Sequence, residues 1–389
     1  MSRTFQIAAI FFPAALAFAS CSSANSGDSA AQSTSEATPA ADPAPFAISE
    51  KGSFDEPWAM AFEPGTDNLF ITERKGALKI YHADGHVSSV SGVPKVDYGG
   101  QGGFGDIAFA PDYSTSRAIY LSWAEAGDND TRGAVVGRGK LVCSDKDNCR
   151  IDGLTVIWRQ TPKVTGRGHF SHRLAFSPDG AYLYVASGER QKFDPAQDLT
   201  NNLGKVLRLL PDGTPAPGNP FAGKGGQNAE IWSYGHRNIL GLKFDASGNL
   251  WDLEHGPAGG DELNLVKRGT NYGWPVVSNG DNYDGTPIPR HPTHPEFEAP
   301  AISWNPVIAP GDFIFYSGSL FPALQGDALL TGLKTQALIH LKFDGSAVRE
   351  VARYDFGTRL REIEQGPDGA IWVATDGPDA KLLKLTPKG

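Results

Sequence analysis

Cysteine is scarce, with three in 389 residues. None belongs to a Cys-x-x-Cys-His run, so no haem is attached and any electron acceptor must be separate. No glycine fingerprint follows a strand and opens a helix, which argues against a nicotinamide-binding fold. Positive charge is short as well: Lys+Arg 35 against Asp+Glu 44 leaves a formal charge of -9. That balance argues against nucleic acid as partner, although a local basic pocket can still hold a small anion. The apolar run at residues 7–18 is too short to span a bilayer, and helix-period segments are hard to find beyond residue 50.

Arg3, that apolar run, and the small residues Ala19 and Ser20 before Cys21 read as an export signal. Phe18, Ala19, Ser20 and Cys21 resemble the cleavage box of bacterial lipoproteins, with Phe18 where leucine is more usual. The expectation is a signal peptide over residues 1–20 and a lipid anchor on Cys21, with ordinary signal cleavage nearby as the alternative. Residues 21–46, rich in Ser, Ala, Thr, Asp and Pro, cannot bury enough apolar area to offset the entropy of ordering, and read as a flexible tether. Ser22 is not acidic, which places the anchor in the outer membrane, facing the periplasm, if the cell is Gram-negative. Export also suits a disulfide between Cys143 and Cys149 across a polar turn; two thiols without a nearby His make a poor zinc set.

From about residue 50 a unit recurs: a period-2 strand, a Pro/Asp/Gly turn and a second apolar strand. Residues 58–62 lead to 68–72, 105–109 to 118–122, 173–176 to 182–186, and 240–244 to 249–252. A divergent copy runs from 312–315 to 327–331, and a sixth from 360–364 to 371–374. These are hairpin signatures, and six of them separated by long insertions fit the blades of a propeller. The expected fold is all-β, one six-bladed β-propeller with inserted loops over residues 47–389. A sandwich or two smaller barrels is the competing architecture.

Residues 254–275 are too polar and too rich in turns for a core strand. Carbonyls freed by tight turns beside the carboxylates of Asp261 and Glu262 suit a hard cation such as Ca²⁺. Upstream, Ser233, His236, Arg237 and Asn238 can bind anionic or carbonyl groups. Together they suggest a metal-assisted cofactor site. Gly76 with Lys79, and Asp376 with Gly377, read as local turn features without chemistry.

The runs at residues 101–112, 169–174, 235–238, 271–275 and 333–335, the Gly256-Pro257 loop with Asp261 and Glu262, and the pair Arg359 and Arg361 carry a resemblance. Across roughly residues 50–386 the chain resembles the soluble, pyrroloquinoline quinone-dependent (PQQ-dependent) sugar dehydrogenases, the glucose/sorbosone dehydrogenase family. The resemblance implies a six-bladed propeller with the quinone over its central face. It implies oxidation of an aldose sugar at C1 to the lactone, hydride transfer to quinone C5, and electrons passed to an external acceptor. His169 is then the base, a role that a near-neutral imidazole can fill. Arg237 and Asn238 reach the reactive side of the quinone, and Gln101 touches substrate or quinone. The carbonyls of Gly256 and Pro257 hold the catalytic Ca²⁺, while Asp261, Glu262 and Tyr272 match positions of a further structural calcium. Lys334, Arg359 and Arg361 form a basic side for the three carboxylates of the quinone.

Relatives often support the catalytic His with an acidic residue, but Gly168 precedes His169 here. Asp106 and Glu254 are candidate helpers, and His172 is a rival base. Two further functions compete: a calcium-dependent propeller hydrolase such as a lactonase, for which Lys334, Arg359 and Arg361 have no purpose, and a non-catalytic envelope binding propeller. Substrate choice is expected in the long inserted loops, especially residues 188–230 and 278–312.

Overall fold

Each of the six repeated hairpins forms the inner half of a four-stranded antiparallel sheet. The computed structural model describes residues 44–345 and 347–388. The export signal, Cys21 and most of the tether lie outside the described residues. The innermost strands are Pro57–Phe62, Phe104–Phe109, Ser171–Phe176, Ile239–Phe244, Pro310–Phe315 and Leu360–Gln365, one for each blade in chain order. Every copy identified from the sequence falls on one of them. Among the described residues the one α-helix is the single turn Tyr113–Ser116.

The ring closes through its two ends. The strand Phe46–Phe54 lies antiparallel against Ala380–Pro387 and supplies the outer strand of the sixth blade, pairing Phe46 with Pro387 and Phe54 with Ala380. This strand begins one residue inside the stretch that composition gives to the tether. Phe46 is buried edge-on against Phe321 and Tyr354, so it is a core residue. Blades one and two are further joined where Val87–Ser91 runs parallel to Cys149–Arg159. The disulfide between Cys143 and Cys149 closes the adjacent hairpin.

Six apolar clusters hold the ring, one between each pair of neighbouring blades. Trp58, Phe70 and Leu78 meet Phe104, Ile119 and Val135 between blades one and two. Met60, Leu69 and Ile71 meet Trp372, Ala374 and Leu382 where blade six returns to blade one. Alternation along each strand produces this pattern: both faces of a blade pack against a neighbour, so apolar residues at successive positions are buried on opposite faces. Burying each large side chain contributes roughly 1.5–3 kcal/mol.

All six innermost strands break register near their first residues. The irregularities lie between Pro57 and Ala59, Phe104 and Ile107, Ser171 and Leu174, Ile239 and Gly241, Pro310 and Phe313, and Leu360 and Glu362. Such bulges re-aim the residues they contain. Here they collect Trp58, Asp106, His172, Arg173, Leu240, Asp312 and Arg361 around the axis.

Candidate active site

Four of these bulge residues, Trp58, His172, Leu240 and Arg361, line a cavity of about 440 Å³ at one end of the axis. That volume lies within the range of small-molecule sites. Below it, buried Arg173 lies over the Trp58 ring at 4.1 Å and hydrogen-bonds Glu362 at 2.6 Å. Asp106 and Asp312 stand 3.5 and 3.6 Å from the same guanidinium. The floor is therefore fastened by charge across five blades.

Backbone strain gathers beside this cavity. Of thirteen described non-glycine residues with positive φ, six are His169, Ser171, His172, Arg190, Gln191 and Phe193. They occupy two adjoining segments, and strain concentrated this way marks a functional site. Buried Arg190 holds the first segment by donating to the carbonyls of Gly166 and Gly168.

The His169 backbone N–H donates to Gln101 Oε1 at 2.6 Å. Its Nδ1 makes a very short contact with Glu189 Oε1. Glu189 is nearly inaccessible, and its second oxygen accepts the backbone N–H groups of Lys192 and Phe193 at 2.5 and 2.7 Å. Burial works against its charge, yet the His169 hydrogen bond and the Phe193 N–H prevail and keep the carboxyl below its ordinary range. Burial is also the largest influence on His169 and lowers its pKa, with Glu189 opposing. The result is a neutral imidazole at pH 7, with its proton on Nδ1 and its lone pair on Nε2.

Glu189 corrects the expectation for the helper. Asp106 instead accepts the Leu174 N–H at 2.7 Å and faces Arg173. Glu254 accepts the Arg237 N–H at 2.6 Å and pairs with His236 at 3.1 Å. His172, the rival base, stacks on Trp58 at 4.8 Å and hydrogen-bonds Ser122 through Nδ1. Burial pushes its pKa down to about 3, and among the described residues no carboxylate pairs with it. A Cβ on Gly105 would lie 1.8 Å from that ring, so glycine there makes room for it. His172 is a wall.

Arg237 and Asn238 lie just before the fourth innermost strand, and Asn238 faces the cavity. Arg237 Nη1 donates to the His255 carbonyl at 3.1 Å, while its buried Nε has no acceptor. A buried donor without a partner suits an anionic or carbonyl ligand. Across the cavity Arg359 and Arg361 both point inward, and both are held by Asp376 at 2.7 and 2.8 Å. Asp376 and Gly377 therefore belong to the site, contrary to their reading as a plain turn. Glu56 and Arg74, paired at 3.0 Å, complete the charged wall and carry no motif by which sequence could single them out. Lys334 is exposed and does not line the cavity, although its neighbour Leu333 does.

Beside His255 the loop of Gly256 and Pro257 bends over its own following residues. A Cβ on Gly256 would lie 2.2 Å from the Gly259 carbonyl oxygen, so only glycine fits. Among the described residues no hydrogen bond ends on the Gly256 or Pro257 carbonyl, which leaves hard oxygen donors free. Asp261, expected as a metal ligand, is engaged by two backbone N–H groups. Its oxygens accept the N–H groups of Gly256 at 2.8 Å and Ala309 at 2.7 Å, pinning the loop. Glu262 is buried, and burial raises its pKa well above the usual range. It shares a small recess with Gly256, Pro257 and Tyr272, and the Tyr272 carbonyl has only a long 3.3 Å contact from His291. These donors fit Ca²⁺, and the cavity's three arginines with the unpartnered Arg237 Nε fit an anionic quinone.

The family model described as Glucose / Sorbosone dehydrogenase matches residues 54–384. The aldose sugar dehydrogenase YliI of Escherichia coli (strain K12) is 40% identical over 340 residues, covering 86% of this chain and 91% of that protein. The apo-form crystal structure of the soluble aldose sugar dehydrogenase from Escherichia coli superposes with a TM-score of 0.82 at 38% identity, over 88% of this chain and 100% of that one. The PQQ-bound form of the aldose sugar dehydrogenase from Streptomyces coelicolor gives 0.72 at 26% identity, over 89% and 99%.

Proposed function

The chain belongs to the glucose/sorbosone dehydrogenase family, and from that premise we propose that it oxidises an aldose at C1 to the lactone with PQQ and Ca²⁺. The observation that carries this reading is His169: Nδ1 on a buried carboxylate and, among the described residues, Nε2 with no hydrogen bond, beside an arginine whose Nε lacks an acceptor. Nε2 takes the proton of the sugar hydroxyl, and Glu189 steadies the imidazolium that results. Arg237 and Asn238 supply donors where negative charge grows. The cavity walls and the loop pinned by Asp261 keep these groups in place.

Gly256 and Pro257 would hold the catalytic Ca²⁺ through their carbonyls, with Glu262 and the Tyr272 carbonyl for a second, structural calcium. Arg359 and Arg361 would take quinone carboxylates, with Lys334 reaching from the rim and Gln101 beside the sugar. When bound, the quinone supplies the hydride acceptor and Ca²⁺ polarises it as a Lewis acid. Electrons then leave to a separate acceptor.

Calorimetric titration of the purified apoprotein in millimolar Ca²⁺ tests the cofactor assignment. We expect one-to-one quinone binding, none for NAD, and an affinity weakened by about tenfold or more in Arg361→Ala, which loses a charge-assisted donor. No quinone binding would sink the dehydrogenase reading in favour of a non-catalytic propeller.

Residues 1–20 are proposed as the export signal and Cys21 as the lipid-bearing first residue, with a tether leading to the propeller and a periplasm-facing outer-membrane location. Among the described residues no helix is long and apolar enough to cross a membrane. Mass spectrometry of the mature N-terminus should find acylated Cys21, and Cys21→Ala should release the protein from membranes. An unmodified terminus at Ser22 or beyond would overturn the anchor.

A further inference from the structure

Six large hydrophobic side chains stand exposed among the described residues, and two of them, Phe193 at 47% and Tyr283 at 77%, are tied to active-site groups. The Phe193 N–H is held at 2.7 Å by Glu189, the carboxylate that also holds the base. Its backbone sits at φ 62° and ψ -88°, an unfavourable conformation for phenylalanine that its surroundings must enforce. The constraint keeps the ring at the surface, 5.6 Å from Trp274 and inclined to it by 30°. Trp274 is buried, and its Nε1 has no acceptor. The Arg237 guanidinium lies 5.1 Å over Trp274 and 5.9 Å over the Tyr283 ring, whose hydroxyl it reaches at 3.3 Å. Phe193, Trp274, Arg237 and Tyr283 thus form a continuous arc that starts at the base.

A constrained aromatic ring left in water beside the groups that hold the base is placed for a ligand. Rings with polar donors between them suit a pyranose, which has apolar C–H faces and hydroxyl edges. The arc is continuous with the catalytic groups, so its ligand is joined to the sugar being oxidised. We propose that Phe193 and Tyr283 form a stacking rim for the sugar ring next to the one oxidised, making these two residues determinants of preference for glucose disaccharides and longer chains over monosaccharides. The inference rests on the function proposed above. Both residues lie in the long inserted loops.

The test compares glucose with cellobiose as substrates of the holoenzyme. In Phe193→Ala we expect KM for cellobiose to rise about three- to tenfold, the scale of one lost stacking contact. The readout is the ratio of the cellobiose KM to the glucose KM, which should carry that rise; kcat is set aside because the Phe193 N–H also holds Glu189. Phe193→Trp should retain the cellobiose KM. Tyr283→Ala should raise it, and Tyr283→Phe should not, which separates the ring from the hydroxyl. Equal changes for both sugars, or none for either, would overturn the rim. If the wild-type holoenzyme oxidises no sugar, the proposed function fails and cellobiose calorimetry decides the rim alone. Binding that is lost in Phe193→Ala supports it, and no binding by the wild type overturns it.

Discussion

Replacing His169 with Gln lowers kcat by roughly 10²–10⁴-fold, the usual contribution of a general base, while quinone and Ca²⁺ stay bound. Glutamine keeps a polar side chain of similar reach but offers no lone pair near neutral pKa. The effect should fall on kcat, because the role assigned to His169 is proton transfer from the substrate and no cofactor contact is assigned to it. Calorimetry on the variant should return the wild-type quinone affinity. His172→Ala is the discriminating control. That side chain is a wall stacked on Trp58, with Nδ1 committed to Ser122, so its loss should disturb KM or cofactor affinity more than kcat. A catalytic collapse in His172→Ala with His169→Gln nearly unchanged would show that the base is the other histidine.

The blades were legible because each repeat writes a local pattern, a strand, a tight turn and a strand, that needs no knowledge of its neighbours. The ring was legible from the number of copies and from the way closure removes exposed edges. The bulges were not. Each inserts one residue into a strand whose alternation otherwise looks regular, and their common height becomes visible only when six strands stand side by side. The residues they aim at the axis, such as Trp58 and Leu240, look like ordinary core residues in the chain.

Glu189 was hidden for a related reason, although a signal existed. In the antiparallel hairpin Ser171 pairs with Ser187, so two residues further out 169 faces 189. A partner adjacent across a sheet leaves no mark in the residues that flank His169 in the chain. Asp376 was hidden by its turn: its role depends on Arg359 and Arg361, which come from the neighbouring strand. Asp261 shows the converse. Its type and spacing suit a metal, but its oxygens serve backbone N–H groups from two loops, and loop geometry is not written in spacing.

Glu189→Gln should also cost roughly 10²–10⁴-fold in kcat, for a reason separate from charge. Glu189 is an acceptor for three donors: Nδ1–H of His169 and the backbone N–H groups of Lys192 and Phe193. A glutamine amide cannot satisfy them all. With its oxygen on the two backbone groups, its NH₂ faces Nδ1, which forces the imidazole proton onto Nε2 and removes the lone pair that takes the substrate proton. With the amide flipped, two N–H groups face its NH₂ in a buried site and one donor set goes unpaired, which favours the first arrangement. The pH profile tells this apart from mere loosening of the loop. Burial already lowers the His169 pKa, and Glu189 opposes that shift, so losing its charge lowers the pKa further. The acid limb of kcat/KM, set by protonation of the base, lies below the ordinary histidine value of 6.5 in the wild type and should move to still lower pH as the plateau falls. A plateau that drops with the limb unmoved would reduce Glu189 to a structural clip. A limb that moves to higher pH would contradict the assignment of His169 as the group it controls.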